Sequence, residues 1–149
     1  MRSPYARFVA LPADEQRLLV GLMAALPGIA LLVRARGVTG TARLLERASG
    51  SGPRREADGA DTHAAQRLAQ LASIAGRRGV IAVTCLPQAL LVEWILRRRG
   101  LSPELRVGVR KQADALDAHA WVELHGVALG QAELAHVPFP ARSLAGVPR

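Results

Sequence analysis

The chain is 149 residues long, half of them apolar, with one cysteine and a formal charge of +8. That length suits one domain, or one domain with an appended segment, able to bury a core without cross-links. A single cysteine excludes an intramolecular disulfide framework and thiolate-rich zinc or iron–sulfur sites, and two Trp, one Tyr and two Phe are too few for a base-stacking platform.

The first residues, Met1 to Phe8, lack the continuous apolar core and small-residue cleavage site of a secretory signal. With one unpaired cysteine, the expected compartment is the cytoplasm. Asp14-Glu15 read as the acidic first turn of a helix that continues through Leu18, Leu19, Leu22, Met23 and Leu26. Pro27-Gly28 is expected to break or kink it. A second helical stretch then runs from Ile29 to about Arg36, and a third from Val38 to Ala48. Leu18 to Val33 are sixteen uncharged residues bounded by Arg17 and Arg34. A membrane span wants about 20, so a buried helical pair is expected and membrane contact is not.

Residues 48–61, ASGSGPRREADGAD, are rich in Gly, Ser, Pro and charge, the composition of a loop or linker. The expected organisation is an apolar helical segment over 1–50, a loop over 51–61 and the main core over 62–149. That core opens with a helix from Thr62 to Ala75. Residues 62–111 carry nine cations against two acids, so the basic surplus surrounds the cysteine. It serves solubility or meets an acidic peptide or protein. Nucleic acid is not expected, since no helix joins a basic stripe to a base-reading motif.

Val83-Thr84-Cys85-Leu86-Pro87 reads as a helix start, with Thr84 as N-cap and Pro87 tolerated in the first turn. The helix runs through Leu90, Leu91, Trp94, Ile95 and Leu96, and ends at Arg97-Arg98-Arg99 with Gly100 as C′ residue. Cys85 thus sits on a first turn, where the helix dipole favours thiolate and free N–H groups can hold an oxyanion. By itself it is equally a small buried apolar residue.

Leu105, Val107 and Val109 alternate with Arg106, Gly108 and Arg110, a strand with one apolar face. Lys111 to Asp117 reads as a polar loop. Ala118 to Leu124 alternates again, with His119, Trp121 and Glu123 on one face and Ala120, Val122 and Leu124 on the other. His125-Gly126 reads as a tight turn before a third strand, Val127-Ala128-Leu129. The fold class is α+β: helices, then an antiparallel meander. Thiol nucleophiles need a base and a group to orient it. His119 is the one histidine inside a strand, 34 residues after Cys85.

Cys85-Leu86-Pro87-Gln88-Ala89-Leu90, Leu96-Arg97-Arg98-Arg99-Gly100-Leu101, Gly108-Val109-Arg110 and Ala118-His119-Ala120-Trp121-Val122-Glu123 with Gly126 occur in that order. Together they resemble the leader peptidases of lasso-peptide biosynthesis, a branch of the transglutaminase-like cysteine proteases, in their stand-alone form. The resemblance implies a transglutaminase/papain-like core with the nucleophile at the start of a central helix and the histidine on the sheet. It implies that Cys85 is the nucleophile, His119 the base and then acid, and Trp121 a packing or substrate-wall residue. The implied partners are the leader of a ribosomally made precursor, a separate leader-binding recognition protein, and the ATP-dependent macrolactam cyclase that takes the core peptide. No cofactor or metal is implied. The chain departs from the family where an acidic residue follows the third strand. Gln131 stands there, able to accept from the imidazole but not to charge-stabilise it, and Glu133 is the other candidate. Asp117 shares the His119 face, but same-face neighbours on a strand lie about 7 Å apart and aim in parallel, a poor geometry for an orienter. A non-catalytic interaction module with a decayed site and a thiol acyltransferase are the other functions to separate from a peptidase.

Overall fold

The computed structural model describes residues 8–79, 81–112, 115–130 and 137–138. Three long helices come first: α1 (Ala13–Ala48), α2 (Gly59–Arg78) and α3 (Cys85–Arg98). A sheet follows: β1 (Glu104–Gln112), β2 (Ala115–Leu124), β3 (Val127–Ala128) and β4 (Val137–Pro138), in the spatial order β3-β2-β1-β4 with every pairing antiparallel. The architecture is the mixed helix-and-sheet one expected, with a long N-terminal helix.

The break in α1 falls at Gly37 rather than at Pro27-Gly28. Pro27 lies inside a continuous helix, and the non-helical residue is Gly37 at φ 70°, ψ 175°. An internal proline costs about 3 kcal/mol. Leu19, Leu22, Leu26 and Ile29 are all buried on one side of this stretch, and each fully buried aliphatic returns roughly 1.5–3 kcal/mol. Packing therefore outweighs the proline. Gly37 adopts a backbone conformation open essentially to glycine alone, and the buried Thr41 hydroxyl donates to its carbonyl at 2.8 Å. The third expected stretch, Val38 to Ala48, is the second arm of α1.

Helix α2 starts earlier than expected, because its cap lies inside the Gly/Ser-rich stretch. The Asp58 carboxylate accepts from the Asp61 N–H at 2.8 Å, and the Asp61 carboxylate accepts from the Asp58 N–H at 3.1 Å. This reciprocal capping box is reinforced by Arg55 on Asp61. Asp58→Ala is expected to cost about 1 kcal/mol, read as a lowered midpoint in urea unfolding. Arg55, and then the Asp58 N–H, hold the Asp61 carboxyl down to about 2 from its ordinary 3.8. The stability linked to Asp61 is therefore complete above pH 3.8 and lost as pH falls from there toward 2. Asp61→Asn is expected to flatten that part of the acid-unfolding curve, followed by circular dichroism.

The loop before α2 is docked. Arg54 donates to the carbonyls of Arg97 and Leu101, and the Arg55 N–H donates to the Gly100 carbonyl at 2.8 Å, so the C-terminal end of α3 is satisfied by this segment. A bidentate Glu15–Arg67 pair, 2.7 Å on both oxygens, ties α1 to α2. The core is one cluster built from Leu22 and Leu26 of α1, Leu68 and Leu71 of α2, Leu90 and Leu96 of α3, and Val122 and Leu124 of β2.

In the sheet, the expected polar loop Lys111 to Asp117 is largely strand. β1 and β2 pair as far as Gln112↔Ala115. Ala115, Asp117 and Ala118 are exposed, so these residues show none of the buried–exposed alternation by which a strand is read, while the backbone ladder continues through them. The His125-Gly126 turn forms as read, both residues at positive φ (51° and 76°), which matches the twist of a two-residue hairpin. The His125 ring also accepts from the Ala57 N–H at 3.2 Å. β4 pairs with Gly108 and Val109 on the far edge of β1. Two residues ending in proline carry no strand periodicity, and proline is admitted on edges.

Candidate active site

Cys85 is the first residue of α3. Thr84 precedes it in extended conformation but its hydroxyl makes no capping bond, and the first turn holds no acid. The positive end of α3 is therefore not neutralised by a side chain of that turn. At the other end Gly100, at φ 78°, terminates the helix.

The segment entering α3 is bracketed at Val83. Its N–H donates to the Gly76 carbonyl of α2 at 2.9 Å, and its carbonyl accepts from the Gln88 amide of α3 at 2.6 Å. Both main-chain groups of a buried residue are thus satisfied, and the backbone two residues before Cys85 is pinned to two helices. Gly76 makes this possible. A β-carbon there would lie 2.0 Å from Gln88 Nε2 and 3.0 Å from its Cγ. The sequence reading named Gln88 only within a motif and did not single out Gly76. The expected helix ends at Ala75, which makes Gly76 read as a stop signal, whereas the helix continues to Arg78 and Gly76 is interior.

His119 lies on β2 opposite Gly108 of β1. Its ring stacks on Trp121, with centroids 6.1 Å apart and planes at 20°, so the same-face reading of these two residues holds. Trp121 Nε1 donates to Glu123 at 3.1 Å, and Arg106 of β1 holds the other oxygen of Glu123 at 3.0 Å. The imidazole thus leans on an indole that is itself fixed by a hydrogen bond and an ion pair.

Cys85, Gln88, His119 and Trp121 all line one small cleft of about 70 Å³, together with Ser73 of α2 and Gly130. Two elements 34 residues apart in sequence are brought to one cavity. Gln131 and Glu133, the two candidates for orienting His119, lie outside the described residues. The chain up to Gly130 is well held: Gln66 of α2 donates to the Ala128 carbonyl at 3.0 Å and accepts from the Gly130 N–H at 2.8 Å. Gly130, at φ 72°, packs against Ala69, where a β-carbon would meet the Ala69 Cβ at 3.0 Å. Gln66→Ala is expected to cost about 1–2 kcal/mol by removing both bonds, checked by chemical unfolding. Among the described residues no group of three or more His, Cys, Asp or Glu is arranged to hold a metal ion.

A family model for the transglutaminase-like superfamily matches residues 28–139. The chain belongs to that superfamily, whose fold serves cysteine-protease-type and acyltransferase chemistry. The match begins within α1 and extends through the cleft residues to β4. No curated protein and no solved structure gives a significant match.

Proposed function

We propose that the protein is a cysteine peptidase that removes the leader from a lasso-peptide precursor in the cytoplasm, working with a separate leader-binding protein ahead of the macrolactam cyclase. The observation that carries this reading is the cleft itself: in a chain of the transglutaminase-like superfamily, a helix-initial cysteine and a strand histidine line one cavity. The motif resemblance around Cys85 and His119 supplies the substrate class.

Cys85 is the nucleophile in this scheme. His119 takes the thiol proton, the Cys85 thiolate attacks the scissile carbonyl carbon, and first-turn N–H groups of α3 receive the oxyanion. The tetrahedral species collapses as His119 protonates the departing amine, leaving an acyl thioester on Cys85. His119 then takes a proton from water, the hydroxide attacks the thioester carbon, and the Cys85 sulfur leaves. Trp121 holds the imidazole plane and forms part of the substrate wall. Gln131 is the proposed orienter of His119, with Glu133 the alternative. A glutamine carbonyl fixes the tautomer without stabilising imidazolium by charge.

The test is incubation of purified protein with a lasso precursor and its leader-binding protein, read by mass spectrometry. A single cut at the leader–core junction is expected. An intact precursor under those conditions would remove the peptidase reading. Incorporation of an added amine in place of water would move the function to acyl transfer.

A further inference from the structure

Helix α1 is apolar on both sides, and among the described residues one side is packed and the other exposed. Leu19, Leu22, Leu26 and Ile29 are buried against α2 and α3. The opposite side presents Val20, Gly21, Ala24, Ala25, Gly28 and Leu31 to solvent. At helical spacing these share one face about 17 Å long. Val20 is 54% and Leu31 66% exposed, and only 22% of the most apolar 18-residue window of the helix is buried. A helix apolar all round is ordinarily covered all round.

The charges around this face say what covers it. Arg17 and Asp14 stand at one end and Arg34 and Arg36 at the other, all exposed. No acid occurs between Glu15 and Glu46. A parallel second copy would set arginine against arginine, and an antiparallel one would bring Arg34 and Arg36 against Arg17 as well as Asp14. An uncharged face with three arginines against one aspartate at its ends matches a bilayer surface with anionic headgroups: the aliphatic side chains enter the acyl boundary, and the arginines reach the phosphates. We infer that the outer face of α1 docks the protein flat on an anionic membrane surface. Spanning is a different matter. Crossing the bilayer would strip Leu19, Leu22, Leu26 and Ile29 from the core they share with α2 and α3. The docking face lies opposite that core, so this inference does not depend on the peptidase reading.

The test is co-sedimentation of the full chain with phosphatidylcholine vesicles, with and without phosphatidylglycerol. The variant is V20Q/L31Q, which keeps the net charge and leaves the buried side of α1 untouched. Binding to the anionic vesicles is expected, and the variant is expected to lose about tenfold or more in partitioning, the scale of removing a buried aliphatic side chain from the acyl boundary. An unchanged circular dichroism spectrum and melting curve would show that the variant is folded. Equal binding by parent and variant would reduce the contact to bulk basic charge and overturn the proposal. So would absence of binding by the parent, resistance of the bound protein to alkaline carbonate extraction, or a dimer of the parent that the variant abolishes.

Discussion

Cys85→Ala is expected to abolish precursor cleavage while leaving the fold intact. The substitution removes one sulfur from a partly exposed position at the first turn of α3, and alanine is the best helix former, so stability should change little. Loss of the nucleophile removes the thioester route entirely, and rates should fall on the order of 10⁴-fold or more. The paired variant His119→Ala should lose about 10²–10⁴-fold, the scale of a positioned general base. The time course of leader release, followed by mass spectrometry, checks both. Because Cys85 is the only cysteine, alkylation read by intact mass reports one sulfur without ambiguity. His119→Ala should slow that alkylation if the imidazole reaches the thiol. Full cleavage by Cys85→Ala would sink the catalytic assignment. An inert thiol indifferent to His119 would favour a decayed site used only for docking.

The second large effect is expected at a residue outside the cleft lining, Gly76. Gly76→Ala inside an ordinary helix would stabilise by about 0.5–1 kcal/mol. Here the sign should reverse. The new β-carbon would sit 2.0 Å from Gln88 Nε2, so the Gln88 side chain must leave and Val83 loses the donor to its carbonyl. We expect a net loss of about 1–3 kcal/mol, and a fall in cleavage rate of about 10²-fold as the backbone before Cys85 loosens. A double-mutant cycle isolates the cause. In a Gln88→Ala background there is no amide to displace, so Gly76→Ala should recover its ordinary stabilising sign. Gly76→Ala protein that is both more stable and fully active would show that the bracket at Val83 does not matter.

Much of the local structure was legible in the residues themselves. Pro87 and Gly100 delimit α3 because turn and cap chemistry acts within four residues of its source, and Thr84 takes the extended conformation of an N-cap without making the capping bond. Alternation in 118–124 marks β2 because one of its faces, Ala120, Val122 and Leu124, is buried on the helices. His119 and Trp121 share a face by strand period alone, and their stacking follows. The motifs around Cys85 and His119 pointed to the transglutaminase-like superfamily to which the chain belongs. What tertiary structure decided is non-local. Pro27 stays helical because distant residues of α2 and α3 bury its neighbours, a term larger than the local penalty. The true break at Gly37 is where the burial pattern of α1 allows a turn and Thr41 supplies the missing donor. The Gly76–Gln88–Val83 bracket, the Gln66 clamp on Ala128 and Gly130, and the pairing of β4 with β1 each join residues far apart or on different elements. Periodicity and capping report only what a residue demands of its near neighbours. Which distant groups answer those demands is set by packing, so the cleft that unites Cys85 with His119 exists only once the helices and the sheet have closed on one core.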